Sequence, residues 1–538
     1  MVSVFMIIAI VICISMSLTS VSAFQATQGP TEVIQYNPFK AYNGYTLFRG
    51  QGGLEIKHGT AWLIDMEGQV VHSWPDVVTN PQLWPNGHLT HATTGYWRGE
   101  EDPDGSWIRE LDWEGKIVRK WKPPADRPDL IGFHHDHKLI FNKKLNKQTM
   151  LALCYFRYPL KDVIANGGDP SVFKSDQSAG GIVEMDMDGN IIWEWHLTDH
   201  LIQDFDATKN NYVGKGKTIA DYPGKLDTNW GGRLQNANGL DYNEKLDQIL
   251  WDSKNNSEIW IIDHGRTFIP NDPKGSRAKA AGEAGDILYR WGNPSVYGAG
   301  DGPWYKYGKY GNGHQQLFNI HNGQWIDEGL PGAGNIIVFD NGYDRTGETY
   351  STIVEFNPYD GPMENGVYVP QMKAGYEKNG LSKQIVWRWN EKLYHRFARG
   401  LFSFHISGME RQPNCNTLIC AGEDGHLVEV TYGDPEKGEL PEIVWEYINP
   451  DTDTHGVVKH LRMDMYNQVY RAHRYGPDYP GLKGKDLTRK GTITEIAVKL
   501  TKRHITTTVD NMIKMEKPIL DWWKNNQRKQ EEVLKNGM

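Results

Sequence analysis

Cysteine is nearly absent, with four residues in a chain of 538. Cys13 lies in an N-terminal apolar segment, which leaves Cys154, Cys415 and Cys420, too few for a disulfide-stapled fold. Cys415 and Cys420 are the only sequence-local pair, and on a single strand their odd spacing would turn them to opposite faces. An excess of positive charge is also missing. Lys and Arg number 58 against 67 Asp and Glu, a formal net charge of -9, so no nucleic-acid partner is expected. Long apolar runs are lacking beyond the first residues, which excludes a helical membrane protein. The one apolar run, Phe5 to Ile14, leads into Val21-Ser-Ala23, a small-x-small ending typical of a cleaved export signal. Residues 1–23 therefore read as a leader, without a basic n-region, and an uncleaved anchor is the alternative. The mature chain is expected to be periplasmic or secreted, with no stable membrane insertion.

Glycine and tryptophan are abundant, at 57 and 20 residues. Glycine supplies tight turns, and tryptophan supplies large apolar bodies to pack between layers. They recur together. Ile64-Asp-Met-Glu-Gly-Gln-Val-Val-His-Ser-Trp74 is echoed by Leu111-Asp-Trp-Glu-Gly-Lys-Ile-Val-Arg-Lys-Trp121 and by Met185-Asp-Met-Asp-Gly-Asn-Ile-Ile-Trp-Glu-Trp195. Looser copies end at Trp291, Trp389 and Trp445. Each copy reads as a hairpin, with Asp-x-x-Gly as its turn and an alternating strand that ends in a buried Trp. Six hairpins, each preceded by a strand couplet, predict an all-β fold. It is a six-bladed β-propeller over residues 24–499, with inserted loops and a short helical tail over 500–538. The alternative is a β-sandwich or two packed β domains, but no Pro/Ser-rich linker divides the chain. Insertions are expected at Tyr158–Ser178, His200–Arg233 and Thr267–Asp286, on one face.

In a propeller the innermost strands converge on one central channel, so polar residues at their starts meet although they are distant in sequence. The candidates are His88 and His91, then His134, His135 and His137, Asn236 and Asn238, His321 and Asn322, and Phe404-His405. Imidazole serves as base, acid or nucleophile. Alternation would put His135 and His137 on one face, but two ligands without a third make no metal centre, and no metal or cofactor is expected. A separate strand ends at Asp340-Asn341-Gly342 and is followed by Arg345, whose planar fork of donors suits a tetrahedral oxyanion.

These segments resemble bacterial aryl-sulfate sulfotransferases. The likeness runs through Phe339-Asp-Asn-Gly342 with Arg345 and Tyr350-Ser351, and through Asn238-Gly-Leu-Asp-Tyr-Asn243 and Gly285-Asp-Ile-Leu-Tyr-Arg-Trp-Gly-Asn-Pro294. It continues in Ser407 to Cys420 and in Tyr470-Arg-Ala-His-Arg-Tyr475, so it covers nearly the whole mature chain. The resemblance implies an enzyme that moves a sulfuryl group from an aryl sulfate to a phenol through a sulfohistidine. It implies His405 as nucleophile, His321 and Arg345 on the sulfate oxygens, and His135, His137, Asn236, Asn238 and Asn341 as substrate contacts. Two departures stand out. The family often carries His-x-Asn where this chain has Asn236-Ala-Asn238, and its Gln-His pair appears here as Ile320-His321. A non-catalytic propeller that binds a ligand or protein at its channel mouth is the competing reading. The sequence leaves the choice between monomer and homo-oligomer open.

Overall fold

The computed structural model describes residues 31–50, 59–93, 106–217, 219, 221–222, 224–227, 236–297, 314–346, 350–358, 363–364, 367–368, 383–389, 401–433, 439–451 and 467–499. The expected leader and the expected tail lie outside them. Six four-stranded antiparallel sheets form the blades of a propeller. Blade two runs from inside out as Thr79–Leu83, Leu89–Ala92, Ile108–Leu111 and Ile117–Trp121. Blade three is Leu130–Asn142, Lys147–Tyr158, Gln177–Met185 and Ile191–His196. Blade four is Ala237–Asn243, Gln248–Ser253, Glu258–Asp263 and Ile287–Trp291. Blade five is Ile320–Trp325, Ile336–Asp340, Thr352–Phe356 and Ile385–Trp389. Blade six is Gly408–Arg411, Thr417–Ala421, His426–Val430 and Ile443–Ile448, with Glu32–Tyr36 added as a fifth, outermost strand.

Blade one closes the ring. Its inner strand, Ala472–Tyr475, comes from the C-terminal side and pairs with Tyr45–Arg49, Gly59–Ile64 and Val70–Val77 from the N-terminal side. The two ends of the described chain are thereby held in shared sheets, and unravelling at either end exposes a strand edge.

The repeated hairpin joins the third strand to the fourth. In its three clearest copies the Asp carboxylate accepts backbone N–H groups of its own turn: Asp65 from Gln69 at 2.9 Å, Asp112 from Lys116 at 2.8 Å, and Asp186 from Asn190 at 2.9 Å. The following glycine takes a left-handed φ of 78° at Gly68, 82° at Gly115 and 91° at Gly189, a region that a side chain resists. The six repeat tryptophans all fall on the fourth strands of their blades and are buried. Four of them reach the next blade through the indole N–H: Trp74 to the carbonyl of Asp112, Trp121 to Asp186, Trp195 to Gly285, and Trp445 to Met66. Between blades five and six the neighbouring Trp387 makes the equivalent bond, to the carbonyl of Tyr432. Each fourth strand is therefore wedged, and five of the six are also tethered to the next blade through an indole N–H.

Antiparallel meandering sends the second-to-third connections and the blade-to-blade connections to the end where the inner strands begin. The insertion at Tyr158–Ser178 and the described residues of that expected at His200–Arg233 lie on that mouth face. The third expected insertion, Thr267–Asp286, does not. It links the third and fourth strands of blade four at the opposite end, where the helix Pro273–Ala280 packs under the outer strand of blade three. Cys415 and Cys420 are unbridged: Cys415 is exposed in a hairpin turn with φ 74°, and Cys420 is buried on the next strand.

Candidate functional site

The inner strands break their regular pairing just inside the mouth. Register shifts occur between Thr79 and Gln82, Phe133 and His137, Ala237 and Gly239, and His321 and Gln324. At or beside these bulges, non-glycine residues take left-handed φ: 46° at Asn80, 55° at His135, 56° at Asn322 and 51° at Ile406. Such strain persists only where surrounding structure over-determines it, and bulges re-aim side chains. Here they tip a set of imidazoles and amides over the lumen.

The hydrogen bonds of His321 fix its protonation. Asn341 donates its amide N–H to the carbonyls of Ser403 at 2.7 Å and Ile406 at 3.0 Å, so its oxygen must accept. That oxygen lies 2.6 Å from His321 Nδ1, which therefore carries the proton. His321 Nε2 in turn accepts the Ile406 backbone N–H at 3.1 Å and the Asn238 amide at 2.9 Å. The ring is neutral and fully engaged, and burial, with the Lys254 charge next, pushes its pKa well below the usual imidazole value.

Blade three holds a second fixed pair. His134 Nε2 donates to the carbonyl of Cys154 at 3.3 Å, and its ring stacks on Tyr155 with centroids 3.9 Å apart. Its Nδ1 is then a lone pair, and the proton of the 2.7 Å bond between the two histidines belongs to His135 Nδ1. Burial lowers the pKa of His134 to about 3, and burial together with His134, Lys254 and Arg471 lowers that of His135 well below the ordinary range. His405 precedes the inner strand of blade six and is the most accessible of these rings. Its Nδ1 pairs with the buried carboxylate of Glu423, whose other oxygen accepts Gln468 Nε2 at 2.9 Å.

The floor of this cup is a side chain that crosses the lumen. Arg471 belongs to blade one, yet its Nη1 donates to Asp136 of blade three at 2.7 Å and its Nη2 to the carbonyl of Asn238 of blade four at 2.6 Å. Neither blade neighbours blade one, so the guanidinium spans the centre. Beside it, the Asp252 carboxylate takes the backbone N–H groups of Asn238 at 2.7 Å and Gly323 at 3.1 Å. Burial nonetheless raises the pKa of Asp252 to about 6. Two residues further along each inner strand lies a second polar tier: Gln82, Lys138, Asp241, Gln324, Glu410 and His473. Four of these bond the backbone of the next inner strand, at His137 O, Trp325 N, Met409 O and Arg474 N, and Lys138 reaches it through the Asp241 carboxylate. Side chains thus cross and line the lumen, and the mouth is a cup.

The expected residues divide accordingly. His321, Asn238 and Asn341 are bonded directly, and His405 joins them through the Ile406 N–H. His135 overhangs the same cup, with its ring centroid 6.5 Å from that of Tyr470 of blade one. Asn236 sits at its edge, accepting Tyr155 Oη at 3.0 Å. His137 does not share a face with His135, because the bulge breaks the alternation. It is buried among Asp136, Arg471 and His473, and burial lowers its pKa to about 4. Arg345 is spent elsewhere: it is buried, paired with Asp340, and lies 4.4 Å from the ring centroids of both Phe318 and Tyr350. His88 and His91 flank the start of the second strand of blade two, whose inner strand is Thr79–Leu83. Glu423, Arg471, Lys254 and Asp252 were not expected. Arg471 stands in the quoted Tyr470–Tyr475 segment, and the others carry no periodic signal.

No protein-family model matches the chain, and no curated protein matches it by sequence. Among solved structures it is similar to the WD40 domain of Toxoplasma gondii coronin, at 9% identity and a TM-score of 0.33 over 86% of this chain and 87% of that one. It is similar to a Pseudomonas aeruginosa periplasmic gluconolactonase, at 11% identity and 0.33 over 78% and 85%. A putative 6-phosphogluconolactonase from Bacteroides uniformis follows at 7% identity and 0.33 over 76% and 84%. At these scores the likenesses carry no argument of their own, and the six blades rest on the strand pairing described above.

Proposed function

We propose that this propeller is an aryl-sulfate sulfotransferase that moves a sulfuryl group from an aryl sulfate to an acceptor phenol at the mouth cup, outside the cytoplasm. The observation that carries the reading is the pairing of His405 with the buried Glu423 beside the neutral, fixed His321. A carboxylate on Nδ1 orients an imidazole for attack through Nε2 and stabilises the cation formed when that nitrogen is substituted. In the first half-reaction the His405 Nε2–sulfur bond forms, the sulfur–aryl oxygen bond breaks, and the donor leaves as phenolate. In the second, an acceptor phenolate oxygen bonds to sulfur and returns the electron pair to His405. The sulfate oxygens need positive partners. Arg345 is paired with Asp340, and Lys254, whose charge bears on both His321 and His135, supplies a positive charge at the cup. The Asn238 amide completes the cup.

The test is release of the donor phenol from a chromogenic aryl sulfate, with and without a phenol acceptor. Acceptor-dependent release that falls by at least about 1,000-fold in His405→Ala, and by about 10–100-fold in Glu423→Gln, supports the assignment. Unchanged release in His405→Ala removes the nucleophile. No release across several donors and acceptors leaves the binding-propeller reading.

A further inference from the structure

We infer that His135 is the base that takes the proton of the acceptor phenol, an assignment that rests on the sulfotransfer reading. Three observations carry it. The chain of bonds from the Cys154 carbonyl through His134 puts the only proton of neutral His135 on Nδ1 and leaves a lone pair on Nε2. His321, by contrast, has both nitrogens engaged and no lone pair to offer. The left-handed backbone at His135, inside a bulge, swings its ring over the lumen toward Tyr470 of a non-adjacent blade. His135 also lies across the lumen from His405, since blades three and six stand opposite in the ring of six, so an acceptor between them meets the sulfuryl group on one side and the base on the other.

The proton balance closes. In the empty cup, burial and the neighbouring cations keep His135 unprotonated, the state a base needs. Proton removal is coupled to bond formation: as the acceptor O–H gives its proton to the Nε2 lone pair, the oxygen becomes the stronger nucleophile toward the sulfuryl group on His405. The acceptor O–H proton moves to His135 Nε2, the oxygen bonds to sulfur, and the His405 nitrogen–sulfur bond breaks. The sulfate ester departs and His135 returns its proton to water. His134 touches no substrate and acts as a positioning residue.

The half-reactions separate the possibilities. Mixed with donor alone, the wild-type protein should release one equivalent of donor phenol in a burst. His135→Gln should keep that burst and its melting temperature but lose about 100-fold or more in turnover with an ordinary phenol. Pentafluorophenol, already ionised at neutral pH, should restore most of that turnover because it needs no base. His134→Gln should give a smaller loss with the same rescue. Absence of a burst from the wild-type protein overturns the sulfotransfer reading and this one together. An intact burst with unchanged turnover in His135→Gln overturns the base assignment alone. So does loss of the burst in that variant, loss without rescue, or a sulfuryl group mapped to His135 by mass spectrometry.

Discussion

The outer and inner halves of each blade obey different rules. Outer strands are apolar and repetitive: a tryptophan wedge and a register shift between third and fourth strands recur in every blade, and an Asp-capped turn in the first three. Inner strands are bulged near the mouth, strained and polar, and their residues follow no repeated motif: one tier alone mixes two glutamines, a lysine, two carboxylates and a histidine. Glycine shows the contrast in miniature. At Gly115 the backbone demands it, because φ is 82° and a Cβ would meet nothing within 4 Å. At Gly408 φ is unremarkable, but a Cβ would lie 3.2 Å from Arg471 and collide with the Asn322 side chain. The outer half is specified by local conformation and burial. The inner half is specified by what crosses the lumen.

If that division is right, the largest loss of stability comes from an outer wedge and leaves the cup chemistry intact. Trp445 is fully buried, donates to the Met66 carbonyl at 2.9 Å and lies 4.7 Å from the Arg474 guanidinium. Trp445→Ala opens the seam between blades six and one and should cost about 3–5 kcal/mol in chemical denaturation. The donor-phenol burst of the fraction that remains folded should be unchanged. A destabilised variant that also loses its burst would show that wedge and cup are coupled.

A smaller effect with a pH signature belongs to the seam between blades three and four. His264 is buried between Glu184 at 2.8 Å and Asp247 at 2.5 Å. Burial works against the charged ring, but the two carboxylates overcome it and raise its pKa to about 9. A raised histidine pKa contributes stability that is complete below the unfolded value near 6.5 and is lost as pH climbs through about 9. His264→Gln should therefore cost on the order of 3 kcal/mol at pH 6 and progressively less toward pH 10. A pH-independent difference would mean that the ring is held neutral.

The same division explains what the sequence could disclose. Six tryptophan hairpins made the blade count legible, because a local turn and strand alternation repeat wherever an outer edge must be closed. The starts of four inner strands were legible as polar islands at His134, Asn236, His321 and His405. The inner strand of blade two was not legible, since Thr79–Leu83 contains Pro81 and no apolar alternation, whereas His88 and His91 stand out beside the next strand. The floor of the cup was hidden for a different reason. Arg471 and Asp136 stand 335 residues apart, and only the closed ring makes them partners. Glu423 lies in a short turn, Gly422–Asp424, where no periodicity marks a carboxylate as buried. Arg345 was recognised as an unusual arginine, but Asp340, five residues earlier, already claims it.

The smallest effect is the sharpest test of the division itself. Gly115→Ala adds one methyl group to open space in an outer turn, so any cost arises from backbone conformation alone. It should destabilise the protein by about 1 kcal/mol, with no change in the donor-phenol burst. Gly408→Ala keeps an allowed backbone and instead pushes on Asn322 and Arg471, so it should disturb the burst beyond what its stability loss explains. If the two alanine variants behave alike, the inner strands are as locally specified as the outer ones. The cup would then owe its shape to each blade separately rather than to side chains that meet across the lumen.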